Sequence, residues 1–243
     1  MTSSGSFARG PSSYRRGRPR IPPSGKAFLI VTEGEKTEPN YFIKLRDRFH
    51  LSVADVIIHH PAGTDPITLT KRAIELRDVR QKEVKQGSFD IAYDEVWVVF
   101  DLEKPNDQRR DLARQAMTMK GASGIRFAVS DPAFEYWLLL HEKYTTSPFN
   151  GCDDVIKRLR RYWPDYAKAQ VPSDEFIKKI PTAVVNAERC RAHHEASGGE
   201  GNPSTKVDIL VRSLNGATRE HFRFSLGEQK VTDNPPSPNP PSP

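Results

Sequence analysis

Apolar residues in the first half of the chain form short continuous runs, separated by longer charged segments. Four runs are rich in β-branched and aromatic residues, as expected of strands buried on both faces: 27–32, 53–59, 94–100 and 125–129. Three segments between them have the length and mixed polarity of amphipathic helices: 38–49, 66–85 and 107–120. This alternation predicts an α/β fold with a central, mostly parallel sheet flanked by helices.

The second half of the chain predicts mainly helix. Pro132 begins the segment PAFEYWLLLHE, which favours a helix over 132–142. Four further helices are predicted at 153–163, 172–180, 182–196 and 205–214. Thr37 is the predicted N-cap of the first helix, and Ser204 or Thr205 that of the last. We expect this helical half to cover one side of the sheet.

Both ends of the chain have compositions that do not build a core. We predict a disordered Arg-rich leader at 1–24, a folded domain at 25–222 and a disordered Pro-rich tail at 223–243. Five of the 37 Lys and Arg residues lie in the leader, so the remainder has 32 basic and 31 acidic residues. The leader can bind phosphate through counterion release, or it can simply be solvated.

Several classes of protein are disfavoured. No run of about 18 apolar residues is present, so we expect no membrane span. The N-terminus lacks the apolar core of a secretory signal. Cys152 and Cys190 are the only cysteines, too few for a disulfide framework or a thiolate metal site. A cytoplasmic protein is the expectation that remains.

Acidic residues follow two of the predicted strands. Glu33 and Glu35 come after the first strand, and Asp101 and Glu103 follow VWVVF. Ligands of open α/β sheets gather beyond the carboxyl ends of the strands, and crowded carboxylates favour a hard divalent cation such as Mg²⁺. Acids in such positions also serve as helix caps and solvated turns, so the pattern alone leaves both interpretations open.

Four stretches carry a resemblance to a known family. FLIVTEGEKTEPNYF, VWVVFDLEK, AVSDPAFEYWLLLH and GNPSTKVDILVRSL, in this order, closely resemble the RloB (restriction-linked) family between about residues 26 and 214. The resemblance implies a Toprim-like domain, in which a Glu after the first strand and an Asp-x-Asp after a later one hold Mg²⁺. Those positions correspond here to Glu33, Asp101 and Glu103, where Glu103 departs from the expected Asp.

The resemblance also implies an activity and a partner. We expect a Mg²⁺-dependent nuclease, with Mn²⁺ as an alternative cofactor, which acts on RNA or DNA as the effector of a phage-defence or abortive-infection system. The partner implied is an AAA/ABC-type ATPase encoded nearby. A non-catalytic partner or regulator of that ATPase is the alternative, which the departure at Glu103 keeps open.

Other residues are accessory candidates. Glu35 is an accessory acid, and Asp131 stands where the family usually has Asn, as a helix cap or an outer ligand. In the following helix, Glu135 is a candidate neighbour of the metal. His141 is a candidate proton carrier or substrate contact, or an edge residue of a packed helix face.

Two basic features suggest contact with phosphate. A nucleic-acid-binding surface is predicted at Lys157, Arg158, Arg160 and Arg161, next to two aromatic residues. A salt-bridged outer helix face explains the same residues equally well. The predicted helix N-terminus near Lys206 can likewise receive a phosphate or be merely capped.

Overall fold

The sheet combines four parallel strands with one short antiparallel strand. The computed structural model describes residues 26–51, 56–59, 64–88, 91–103, 107–198 and 201–218. The strands are β1 Phe28–Thr32, β2 Val56–His59, β3 Glu95–Asp101, β4 Ile125–Asp131 and β5 Ser204–Thr205. Their order is β2-β1-β3-β4-β5, and only the β4–β5 pair is antiparallel. The predicted α/β fold is confirmed. The predicted leader and tail lie outside the described residues.

Eight helices are described around this sheet. They are α1 Thr37–Arg48, α2 Pro66–Lys85, α3 Asp107–Thr118, α4 Phe134–Leu140, α5 Cys152–Leu159, α6 Asp174–Ile177, α7 Ile180–Ala196 and α8 Val207–Gly216. The five helices after β4 confirm the predicted helical second half. Asp65 caps α2 by accepting hydrogen bonds from the N–H groups of Ile67 and Thr68.

The strand residues alternate between two hydrophobic cores. Phe28 and Ile30 pack with Trp97 on one face, together with α1, α4, α5, α7 and α8. Leu29 and Val31 point to the opposite face, toward α2 and α3. Because helices cover both faces, the strands are apolar without interruption, which explains the continuous runs in the sequence.

Two predicted caps are wrong. The residue before α1 is Lys36, and Thr37 begins the helix while its hydroxyl accepts a hydrogen bond from the Ala169 N–H. Ser204 and Thr205 form β5, paired antiparallel with Asp131 and Ser130. Pairing with β4 holds these two residues in a strand, and the Thr205 hydroxyl accepts a hydrogen bond from the N–H of Val207, the first residue of α8, at 3.2 Å.

His141 lies in the core. The sequence had suggested a catalytic or substrate contact for this residue. Its Nδ1 donates a hydrogen bond to the carbonyl of Trp137, 3.0 Å away, so Nε2 accepts from the Tyr41 hydroxyl at 3.2 Å. Phe176 stacks on the ring, with centroids 4.5 Å apart. Burial lowers the pKa of His141 to about 3. The side chain is therefore a neutral packing residue.

One ion pair joins α7 to the β5–α8 segment. Arg191 donates two hydrogen bonds, of 2.6 and 2.7 Å, to the carboxylate of Asp208, whose side chain is fully buried. It also donates to the carbonyl of Thr205. An exposed pair on the same two helices, Arg212 with Glu188, provides a comparison.

Arg191→Ala should lower the free energy of unfolding by about 3 kcal/mol, because it leaves the Asp208 carboxylate buried without its partner. The matched variant Arg212→Ala removes an exposed pair and should cost less than about 1 kcal/mol. Urea unfolding monitored by circular dichroism measures both values. Equal costs would show that the buried pair does not anchor this segment.

His141→Gln should change how stability depends on pH. The pKa of His141 is about 6.5 when unfolded and about 3 when folded. The neutral histidine therefore contributes stability that is complete above pH 6.5 and declines as pH falls towards 3. Wild type should lose about 1.4 kcal/mol per pH unit relative to the variant between pH 6 and 4. The free energy of unfolding is measured by urea unfolding at several pH values. The same pH dependence in wild type and variant would contradict a buried neutral histidine.

Candidate functional site

Glu33 and Asp101 meet at the carboxyl edge of the parallel sheet. β1 and β3 pair in parallel, with Thr32 opposite Val99. The Glu33 N–H donates to the carbonyl of Val99 at 3.0 Å. Asp101 ends β3, and its N–H donates to Oε2 of Glu33 at 2.9 Å. The structure therefore brings these two sequence-predicted residues together.

Arg109, in the first turn of α3, is a residue that the sequence reasoning missed. Its Nη2 lies 2.5 Å from Oε1 of Glu33, and its Nε donates to the backbone carbonyl of Asp101 at 2.7 Å. Both carboxylate oxygens of Glu33 thus have partners. Nothing in the sequence distinguished Arg109 from the surface charges of an ordinary helix, since its role depends on how α3 lies against the strand ends.

Two more carboxylates face the same region. Glu38, in the first turn of α1, is buried and accepts a hydrogen bond from the Gly34 N–H at 3.2 Å. A Cβ on Gly34 would lie 1.9 Å from Oε2 of Glu38, so any larger residue here would displace the Glu38 carboxylate. Glu135 of α4 is also buried. It accepts from the Tyr166 hydroxyl at 3.1 Å and from the Cys152 thiol at 3.3 Å.

Burial and mutual repulsion act on these acids together. Burial raises the pKa of Asp101 well above its usual value, and the charges of Glu38, Glu33 and Glu135 raise it further. Burial also raises the pKa of Glu38, to about 7, again with repulsion from Glu135 and Glu33. For Glu33, burial outweighs the lowering effects of the Asp101 N–H and of Arg109, so its pKa is raised too. The described hydrogen bonds and cations therefore do not fully stabilise the ionised forms of these three acids.

These residues line an acidic cavity of about 930 Å³. Eight carboxylates surround it: Glu33, Glu35, Glu38, Asp101, Glu103, Glu135, Asp153 and Asp154. Among the described residues, three cations do so: Lys36, Arg109 and Lys168. The acids outnumber these cations, and the raised pKa values of Glu33, Glu38 and Asp101 show that ionising all of them together is unfavourable. Ionised acids here oppose any phosphate-bearing substrate unless cations accompany it.

The carboxylate oxygens that line the cavity are suitable ligands for a hard divalent cation. Oδ1 of Asp101 is buried and has no hydrogen-bond partner among the described residues, which is costly for a carboxylate oxygen. Carboxylates are the ligands that Mg²⁺ prefers. The described part of the chain nevertheless contains no three His, Cys, Asp or Glu side chains already gathered as a metal site. The acids surround the cavity without converging on one point.

Glu103 and Glu35 occupy the rim of the acidic cavity. The Glu103 side chain is 61% exposed, and its Oε1 lies 4.0 Å from Nη2 of Arg109. Its backbone has a φ of +62°, in the left-handed region, and its N–H donates to the carbonyl of Pro132 at 2.7 Å. Glu35 is exposed in the turn after β1. Both line the cavity, while the buried acids lie deeper.

Other sequence-predicted residues lie elsewhere. Asp131 faces a different cavity and pairs with Arg110 of α3, so it neither caps α4 nor touches the acidic cavity. His141 is in the core. The predicted nucleic-acid-binding residues, which lie in and just after the last turn of α5, do not line the acidic cavity: Lys157, Arg158, Arg160 and Arg161. The α5 N-terminus, at Cys152, does line it.

Lys168 is a cation of the cavity that the sequence did not suggest. Partial burial lowers its pKa, but the charge of Glu135, interactions with Cys152 and the charge of Asp101 together outweigh this effect and raise the pKa overall. The ammonium group is thus kept charged in the cavity wall. No pattern pointed to Lys168, since it belongs to an irregular segment after α5.

Comparisons with known proteins identify the family of this chain. None of the described helices has the length and apolar character needed to cross a bilayer. A family model described as RloB-like protein matches residues 28–214. This range includes every described strand and all the residues named above as lining the acidic cavity. Searches of curated proteins and of solved structures returned no match. The chain therefore belongs to the RloB-like protein family.

Proposed function

We propose that this chain is a Mg²⁺-dependent nuclease of Toprim type that acts as the effector of a phage-defence system with an AAA/ABC-type ATPase. One observation carries the proposed chemistry: Oδ1 of Asp101 is buried and has no partner among the described residues, in a cavity where acids outnumber cations. A bare polyanion is repelled by such a cavity, so hydrolysis of nucleic acid there requires a bound cation. The ATPase partner rests on the family resemblance alone.

Each residue has a role in this proposal. Asp101 would be the principal ligand of Mg²⁺, with Glu33 and Glu103 as further ligands. When bound, the cation neutralises phosphate charge and lowers the pKa of a coordinated water. Lys168 and Lys36, which also line the cavity, would attract the phosphate groups. Lys157, Arg158, Arg160 and Arg161 remain the proposed contact with the rest of the nucleic acid.

Arg109 would compete with a metal ion for Glu33. Its guanidinium donates a hydrogen bond to Oε1 of that carboxylate. A cation bound by Glu33 and Asp101 therefore competes with Arg109 for the same carboxylate. The same closed ion pair, together with the absence of a gathered metal site among the described residues, favours the second candidate function, a non-catalytic partner of the ATPase. Measurements on Asp101 and Arg109 distinguish the two.

Asp101→Asn should abolish metal binding without unfolding the protein. Mg²⁺ should raise the Tm of wild type but not that of the variant, because a ligand stabilises only the state it binds. The affinity for Mn²⁺, measured by electron paramagnetic resonance, should fall more than the ~10–100-fold typical of losing an outer partner. Without metal, the variant should be at least as stable as wild type, since the substitution removes a crowded charge.

The control is Asp165→Asn, an exposed position that does not line the cavity. Cleavage of RNA and DNA is then assayed with the ATPase present. If Asp101→Asn binds Mn²⁺ as wild type does, the proposed metal centre is wrong. If wild type binds metal and cleaves neither nucleic acid, the non-catalytic role is supported.

Arg109→Gln should lower stability and strengthen metal binding at once. The variant leaves the Glu33 carboxylate, which is 14% exposed, without its cation, at a cost of up to about 3 kcal/mol. It also frees the Glu33 oxygen for Mn²⁺, so the dissociation constant should decrease. Arg114→Gln, with the same charge change on α3 in an exposed pair, should alter neither. Weaker Mn²⁺ binding in Arg109→Gln would contradict competition.

A further inference from the structure

A second cavity lies on the far side of the segment that carries Asp101 and Glu103. It measures about 580 Å³ and lies between α3, the paired ends of β4 and β5, and the last turns of α7. We call it the β4–β5 cavity. Its volume is within the range of small-molecule sites. Leu102 lines both this cavity and the acidic one, so the two share a single wall.

Asp131 supplies an unsatisfied acceptor to the β4–β5 cavity. The residue is 3% exposed. Its Oδ2 pairs with Nη2 of Arg110 at 2.5 Å, while Oδ1 is buried and has no hydrogen-bond partner among the described residues. A buried carboxylate oxygen left in this state is costly. Because Oδ1 itself is buried, the carboxylate must turn for a ligand in the cavity to reach it, and a ligand that offers one N–H donor would then remove that cost.

Part of the wall is apolar. Ala113 and Met117 of α3 face the cavity together with Val129 of β4 and Leu102. Such a surface accepts a flat ring, and the flexible side chain of Met117 can adapt to it. Ligand sites typically combine a surface of this kind with a few polar groups that fix orientation.

The remaining wall is basic. Arg114 lines the cavity from α3, in an exposed pair with Asp111 that contributes little stability. Lys206 lines it from the residue before α8. Glu195 is the carboxylate opposing them. Arg110 and Arg191 also line the cavity, each already paired with an acid. The positive charge favours an anionic group on the ligand.

We propose that the β4–β5 cavity binds a nucleotide whose base carries an exocyclic amine, adenine above all. The amine donates to Oδ1 of Asp131, the ring lies on the apolar wall, and the phosphate lies by Arg114 and Lys206. Guanine fits less well, because its two parallel N–H donors need both carboxylate oxygens and Arg110 holds one of them. The bound nucleotide contacts Leu102, between Asp101 and Glu103.

Calorimetric titration of the full chain with AMP tests this proposal. Purine riboside 5′-monophosphate lacks only the amine and should bind at least about 10-fold more weakly, as expected for loss of a hydrogen bond to a charged group. In Asp131→Asn the amide N–H₂ replaces the free oxygen and faces the amine. That variant should lose the preference for AMP while binding purine riboside 5′-monophosphate as wild type does.

Arg114→Glu, an exposed substitution, provides the second test should Asp131→Asn fold poorly. It should weaken both nucleotides about equally and leave adenosine, which has no phosphate, unchanged. Lys82→Glu, on the exposed side of α2, makes the same change of charge sign and should alter none of the three. No binding of AMP, equal binding of the two nucleotides, or loss of binding only in Asp101→Asn would overturn the proposal.

Discussion

Parallel pairing of β1 with β3 is the constraint on which the candidate site depends. It brings the ends of two buried strands to one edge, so that the Asp101 N–H reaches the carboxylate of Glu33. The helices α1 and α4, which begin just beyond this edge, add Glu38 and Glu135. Four carboxylates then lie in a region that water solvates poorly, and the pKa values of Glu33, Glu38 and Asp101 are raised by burial and by neighbouring acids.

Arg109 is the main described cation that pairs with these acids. It binds the Glu33 carboxylate and the Asp101 carbonyl, and Asp101 Oδ1 has no partner in the part of the chain that the structure describes. A protein that needed only stability would place apolar residues here, since a buried ion pair rarely stabilises more than well-packed hydrophobic side chains. Unsatisfied buried acids are more typical of sites that bind or react. The same reasoning applies to Asp131, across the shared wall at Leu102.

Much of the fold followed from the sequence because its causes are local. Continuous β-branched runs can be buried only in a sheet covered on both faces, and each run became a strand where the structure describes it. The meeting of Glu33 with Asp101 was predictable for the same reason, since parallel neighbours end at one edge. Glu38 falls at the start of the helix predicted over 38–49, and it lies in the first turn of α1. Its burial in the cavity wall could not be inferred from that position alone.

The remaining features depended on contacts between distant residues. Asp131 was predicted as a helix cap or an outer metal ligand, and in the structure it pairs with Arg110 and lines a different cavity. His141 was predicted as a proton carrier, a substrate contact or an edge residue of a packed helix face, and it packs in the core against Tyr41, Trp137 and Phe176. The sequence by itself determined the four parallel strands, the helical second half, the family and the pair Glu33–Asp101. Only the tertiary structure decided which charges are buried, which are paired and which cavity each one faces, because burial and pairing depend on how elements far apart in the chain pack together.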